Sequence, residues 1–245
     1  MSKRLFLLSV PGIVILTSVL SGCWSYPPWE KIRGEGPTIN RTVDLPKIRG
    51  IILQNAADIV ITQGNRQKVT IEAQANILDN INFEVEGDVW RIRNKRPVWH
   101  AQKVKIHITL KDLRLIKVSG SGKIESNNRF RSLNKLELTI SGSGEIDLKV
   151  SAEEIQSRIS GSGNIHLSGE VRKIDFVLSG SGRLEAFNLK SEKGDLKISG
   201  SGSARVWTTD RLDVRISGSG NIKYKGNPKI RSSISGSGDL IPEDN

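Results

Sequence analysis

The sequence predicts an all-β protein: a parallel β-helix, or β-solenoid, preceded by an irregular N-terminal β segment. Three observations carry this. The tetrapeptide Ser-Gly-Ser-Gly occurs seven times, starting at Ser119, Ser141, Ser160, Ser179, Ser199, Ser217 and Ser235, at spacings of 22, 19, 19, 20, 18 and 18 residues. Apolar and polar residues alternate on both sides of each tetrapeptide, the period of a strand with one buried face. The composition, 36% hydrophobic and 5% aromatic with 24 glycines, suits a thin regular core. In a solenoid each repeat buries its apolar side chains only against its neighbours.

The buried face reads directly from the repeats. One position before the tetrapeptides stand Val118, Ile140, Ile159, Leu178, Ile198, Ile216 and Ile234; three before stand Ile116, Leu138, Ser157, Phe176, Leu196, Val214 and Ser232. Beyond the tetrapeptides the pattern resumes with Ile124, Ile146, Ile165, Leu184, Ala204, Ile222 and Leu240, and two further on with Leu148, Leu167, Ala186, Val206 and Tyr224. Each repeat is thus expected to run strand, Ser-Gly-Ser-Gly, strand, then a variable corner where Gly169, Gly194, Gly226 and Pro228 fall. Stacked as coils about 4.8 Å apart, the repeats pair every backbone with the coils above and below. A stack of antiparallel hairpins with the tetrapeptide as loop is the alternative. Glycine permits positive φ and close approach of coils, and the serines are expected to stack into hydroxyl ladders. Residues 41–118 alternate more loosely, as in Ile59-Val60-Ile61 and Val104-Lys105-Ile106-His107-Ile108, with one helical turn possible over Ala73 to Asp79. Residues 41–241 are read as one domain and 242–245 as a tail.

The first residues read as an address. Lys3 and Arg4 precede a mostly apolar run from Leu5 to Leu20, a secretory signal pattern shorter than the roughly 20 residues of a spanning helix. It ends in Leu20-Ser21-Gly22-Cys23, which resembles a bacterial lipobox, the site where lipoproteins are cleaved and acylated on cysteine. Cys23 is the only cysteine, so no intramolecular disulfide competes. Residues 1–22 are read as a lipoprotein signal peptide, Cys23 as the lipidated residue and 23–40 as a tether, broken by Pro27-Pro28 and carrying Trp24, Tyr26 and Trp29 for a bilayer interface. A tail packed on the domain's first rung is the other reading of this segment. Acyl chains contribute about 0.8 kcal/mol per buried CH₂, so a doubly or triply acylated Cys23 makes the membrane the expected partner. The cell envelope is the expected location, with the outer membrane favoured.

The chain carries 37 Lys and Arg against 26 Asp and Glu. These charges are scattered, as on a solvated sheet face, and are not interleaved with stacking aromatics. Together with export, that excludes nucleic acid as an expected partner. No cofactor or metal is expected: His100, His107 and His166 lack the spacing of a metal site, and the residue after each tetrapeptide varies from Lys123 to Glu145 to Asn164, so no calcium-binding oxygen ladder runs through it. No catalytic residue is assigned. An acidic series, Glu137, Gln156, Asp175, Asp195 and Asp213, falls four residues before each tetrapeptide core position, flanked two residues on by Arg158, Lys197 and Arg215. It is expected to form an outward charge column. Its functional reading is a glycan-binding or polysaccharide-cleaving surface. Trp90, Trp99 and Trp207 are either end caps of the core or stacking platforms for sugar rings.

The lipobox, the segment Asn55-Ala56-Ala57-Asp58-Ile59-Val60-Ile61-Thr62-Gln63-Gly64 and the repeated Ser-Gly-Ser-Gly together resemble the auto-transporter adhesin family with a head GIN domain, over roughly residues 45–240. The resemblance implies a right-handed β-helical fold and a cell-envelope location, and it supplies no active site. The expected function is that of a non-catalytic, lipid-anchored envelope protein, an adhesin or a scaffold. Its alternatives are a stress or signalling partner that binds protein through a sheet edge, and a polysaccharide-binding or polysaccharide-cleaving β-helix.

Overall fold

A computed structural model describes residues 31–243. The signal peptide, Cys23 and the rest of the lipobox lie outside the described residues. The described residues are 70% strand and 2% helix, and the strands stack as a β-solenoid of about seven turns. In chain order the elements are β1 (Ile32–Arg33), β2 (Thr38–Val43), β3 (Gly50–Leu53), β4 (Asp58–Gln63), β5 (Lys68–Gln74), α1 (Ala75–Asp79), β6 (Val85–Glu86), β7 (Val89–Ile92), β8 (Val98–His100) and β9 (Lys105–Leu110). The repeats follow as β10 (Leu115–Gly120), β11 (Lys123–Ser126), β12 (Phe130–Gly142), β13 (Glu145–Gly161), β14 (Asn164–Gly180), β15 (Arg183–Gly200), β16 (Ser203–Gly218), β17 (Asn221–Lys225), β18 (Lys229–Ser235) and β19 (Asp239–Pro242).

The repeats pair in parallel and in repeat register: Ser119, Ser141, Ser160, Ser179, Ser199, Ser217 and Ser235 form one column. Parallel pairing excludes the hairpin stack. The predicted inward positions are buried, including Val118, Ile140, Ile159 and Leu178 in one ladder and Ile124, Ile146, Ile165 and Leu184 in the next. Each fully buried side chain of this kind contributes roughly 1.5–3 kcal/mol. The exceptions lie in the last coils: Tyr224 and Leu240 are half-buried, and Ser232 and Ile234 are exposed because β18 pairs on one side only, with β16, and no coil covers it.

The variable corner differs from expectation. In the central repeats a single strand runs from one tetrapeptide to the next, and length differences are absorbed as bulges between His166 and Ser168 and between Ala186 and Lys190. Gly169 does sit at a bend, with φ +120°. Gly194 does not: it is in register with Ile174 and Leu212, in a core column. A Cβ there would stand 3.1 Å from both Leu196 Cδ1 and Leu212 Cδ1, so neighbouring leucines fill its place.

The two glycines of the tetrapeptide have different tasks. The first always has positive φ, from +116° at Gly142 to +125° at Gly180. The second is buried and lies against the coil before it: a Cβ on Gly202 would meet Leu178 Cδ2 at 2.0 Å and the Gly182 carbonyl oxygen at 2.6 Å. The expected serine hydroxyl ladder does not form among the described residues. The backbone carries the ladder instead, with Ser162 N–H donating to Gly142 O at 2.9 Å and Asn164 N–H to Gly144 O at 3.0 Å. Both serines of each tetrapeptide lie at the surface, where water can satisfy their hydroxyls.

The N-terminal part joins the same stack out of chain order. β3 lies between β7 and β10, and β4 between β9 and β11, all in parallel. The coil of residues 50–63 therefore sits inside that of 89–110. The segment Gln54–Ala57 takes the place of a tetrapeptide, since a Cβ on Gly122 would meet Asn55 O at 2.7 Å. Three residues that precede strands stack at this end: Asp88, Arg49 and Arg114. Arg49 N–H donates to Asp88 O at 2.8 Å and Arg114 N–H to Arg49 O at 2.8 Å. Arg49 Nε donates to Asp88 Oδ2 at 2.8 Å, and Arg114 grips both carboxylate oxygens. The Arg114 hydrogen bonds first, and those of Arg49 second, hold the Asp88 carboxyl well below the usual carboxylate range against the opposing effect of burial. A carboxylate with a depressed folded pKa contributes stability that is complete above its unfolded value of about 3.9 and is lost as pH falls toward the folded one. Hydrogen exchange at pH 6 and pH 3 is expected to show β3 and β7 losing more protection than β14 in acid, and Asp88→Asn is expected to remove most of that difference.

The stack is closed at this end by antiparallel strands, β5 on β9 and β2 on β5. The helical turn forms as α1, with Ile77 and Leu78 buried. Residues 32–33 and 38–40, expected to belong to a tether, are in strands: β1 pairs with β8 and β2 with β5, where Ile32, Ile39 and Val43 find sheet partners.

Candidate functional site

The outward face of β12–β16 is three columns wide. The middle column is the predicted acidic series, with Glu137, Gln156, Asp175, Asp195 and Asp213 in successive register. On one side run Thr139, Arg158, Val177, Lys197 and Arg215, as expected. On the other run Lys135, Glu154, Lys173, Lys193 and Arg211, a column the sequence reading missed although it lies two residues before the acidic one, on the same strand face. A groove of about 510 Å³ follows these columns from Glu137 to Lys197.

Cations of the same strands clasp the carboxylates. Lys173 Nζ donates to Asp175 Oδ2 at 2.8 Å, and Arg211 Nε to Asp213 Oδ2 at 2.7 Å. The hydrogen bond to Asp175 is the largest influence raising the pKa of Lys173. Asp195 is held differently. Its buried Oδ1 has no hydrogen-bond partner and lies 3.6 Å from Lys197 Nζ and 3.7 Å from Arg215 Nη1. Like charges stacked one strand apart are destabilising unless paired, and the interleaved cations answer that. Such a face can recognise an extended polar or charged chain lying along the solenoid. A larger groove, about 700 Å³, follows the neighbouring corner past Glu153, Glu170, Arg172 and Glu192, where Arg172 Nε donates to Glu153 Oε2 at 2.8 Å.

The tryptophans separate. Trp90 is fully buried and donates Nε1–H to Asn82 O at 3.1 Å, so it packs the core. Trp99 is 61% exposed beside His100. Trp207 is half-buried, with Lys225 Nζ 4.5 Å and Lys190 Nζ 5.7 Å from its ring centre. Arg205 lies 4.2 Å over Phe187. This basic and aromatic patch was not anticipated; the bulge that carries Phe187 is the extra length of the 20-residue spacing from Ser179 to Ser199. His107 points outward between buried Ile106 and Ile108, as expected. Among the described residues no group of three or more His, Cys, Asp or Glu is placed to hold a metal, and no helix is long and apolar enough to cross a membrane.

A rigid parallel stack with a continuous outer face defines a class: solenoid proteins that present an extended surface. The chain belongs to the family described as "Putative auto-transporter adhesin, head GIN domain", whose model matches residues 48–228. Among solved structures it is similar to a "putative lipid binding protein" from Parabacteroides distasonis, at 26% identity and a TM-score of 0.75 over 87% of this chain and all of that one. It has the fold of a "putative adhesin" from Bacteroides fragilis, at 24% identity and a TM-score of 0.75 over 86% of this chain and 98% of that one. No curated protein matches the chain.

Proposed function

We propose that the protein is a lipid-anchored, non-catalytic component of the cell envelope that acts as an adhesin or scaffold by presenting the outer face of its solenoid. The observation that supports this reading best is the charge-paired face of β12–β16, whose columns keep one register over five coils. Its aspartates at 175 and 213 are engaged by cations of their own strands, as suits recognition over bond cleavage. The membrane is the proposed partner of the lipid on Cys23. Family membership supports an exported, surface location. The test is protease shaving of intact cells with a Cys23→Ala control. Cleavage from intact cells, with Cys23→Ala moving the protein from the membrane to the soluble fraction, is the expected result. A single acyl chain gives only marginal binding, so loss of every chain is expected to abolish sedimentation with membranes. Retention of Cys23→Ala on membranes would refute the anchor, and protection in intact cells would refute a surface role in favour of a periplasmic scaffold.

Asp195 favours a second reading, polysaccharide binding along the groove. Its carboxylate lines that groove 3.6 Å from Lys197 Nζ and 3.7 Å from Arg215 Nη1, without the hydrogen bonds that Asp175 and Asp213 accept from cations of their own strands. Binding of a panel of acidic and neutral glycans by the native protein, weakened by Asp195→Ala, would support it, and equal binding by both proteins would exclude this groove.

A further inference from the structure

We propose that the C-terminal end of the solenoid pairs with a second copy of this chain, β18 against β18, about a two-fold axis through Ser232. The two ends of the stack differ. At the N-terminal end β5 and β2 cover the last coil, and β2 presents Asn40, Arg41 and Thr42 with a single exposed large hydrophobic, Ile39 at 37%. At the other end β18 pairs only with β16 and β19 only with β17. Three of the five large hydrophobic residues exposed among the described residues are there: Ile230 at 39%, Ile234 at 42% and Ile241 at 38%.

Ile230, Ser232 and Ile234 continue the columns of Leu212, Val214 and Ile216, all buried one coil earlier. A further strand against β18 would bury them in the same way. An unpaired edge of this kind is a template for another strand.

The occupant follows from register. In an antiparallel pair, side chains directly opposite share a face, so the axis must pass through a residue to keep core facing core. Through Ser232, Ile230 of each copy opposes Ile234 of the other, Arg231 opposes Ser233, Lys229 opposes Ser235, and the two Ser232 hydroxyls face each other. Through Arg231, two guanidiniums would oppose. Through Ser233, the Ile–Ile pairs would be lost. The edge is therefore self-complementary in one register, the requirement for a closed two-fold interface. In a chain that begins at Trp24, the seven residues before Lys31 span at most about 25 Å, less than the eight strand spacings of about 4.8 Å that separate β9 from β19.

The test uses the chain from Trp24 onward, which contains every described element and no cysteine. Sedimentation equilibrium is expected to show a monomer–dimer equilibrium. Ser232→Arg, which sets two guanidiniums against each other on the axis, is expected to weaken it at least about tenfold. Ser232→Cys is expected to form an intermolecular disulfide under mild oxidation, because directly opposite Cα atoms lie about 4.5–5.5 Å apart. Ser233→Cys, which faces Arg231 of the other copy, is not. A chain that stays monomeric up to high micromolar concentration would overturn the proposal. So would a dimer indifferent to Ser232→Arg, or one that cross-links through Ser233→Cys and not Ser232→Cys. A folded monomeric Ser232→Arg, with unchanged circular dichroism and melting, would confirm that the change acts on association.

Discussion

Gly200→Ala is expected to destabilise the solenoid by about 3–5 kcal/mol, and Gly120→Ala by only about 1–3 kcal/mol. Both are the first glycine of their tetrapeptide and both have positive φ, +117° and +123°. Both substitutions therefore carry the cost of a conformation that side chains rarely adopt. They differ in what lies beneath. A Cβ on Gly200 would stand 2.6 Å from the Gly180 carbonyl oxygen, whereas one on Gly120 meets nothing within 4 Å. The carbonyl belongs to the backbone of the preceding coil and cannot yield without breaking the pairing of that coil. Gly202→Ala isolates the other contribution. Its φ is ordinary, but its Cβ would overlap Leu178 Cδ2 and Gly182 O. Denaturant midpoints of the three variants would separate backbone conformation from coil contact. Equal losses at 120 and 200 would show that close stacking has no part in the glycine requirement.

Phe176→Ala is expected to cost about 3–5 kcal/mol, and Ser157→Leu is expected to recover part of that loss. Phe176 is fully buried in the column Leu138, Ser157, Phe176, Leu196. The small serine beneath leaves room that the ring occupies, in the alternation of large and small side chains that fills a stacked core. Removing the ring leaves a cavity bounded by two coils; a leucine at 157 would enter it from below. Ser157→Leu alone is expected to destabilise, by crowding Phe176 and by removing the hydroxyl that donates to Asp175 O at 3.2 Å. A double-mutant cycle read by thermal melting is thus expected to give a favourable coupling between the two substitutions. Additive losses would show that the two side chains do not share their space. Stability in a repeat stack depends on contacts between neighbouring coils, so a defect at this central coil weakens both halves.

The sequence predicted the inward ladders because burial in a parallel stack repeats with the coil: Ile140, Ile159 and Leu178 announce their position by type and spacing alone. The same regularity made the acidic column legible, since residues at one repeat position must share one register. It also misled. Gly194 looked like a corner glycine because glycine marks turns, and only its strand partners Ile174 and Leu212 place it in the core. The lysine and arginine column at 135, 173, 193 and 211 went unread because Glu154 interrupts it. Lys225 lies over the rings of both Phe187 and Trp207, and Phe187 stands in a bulge whose side-chain direction no spacing specifies.

What the sequence by itself determined is the repeat: its length, its buried face and the need for glycine at two positions in every coil. Local pattern suffices there, because each coil sees the same neighbours as the last. The tertiary structure decided what happens where that sameness ends. It set the coil of residues 50–63 inside that of 89–110, where Asp88 meets Arg49 and Arg114 across long stretches of chain. It left Ile230, Ser232 and Ile234 uncovered at the other end, although they carry the same pattern as their buried counterparts. A residue's type declares which way it faces along a strand; whether another coil lies beyond it depends on the stack as a whole.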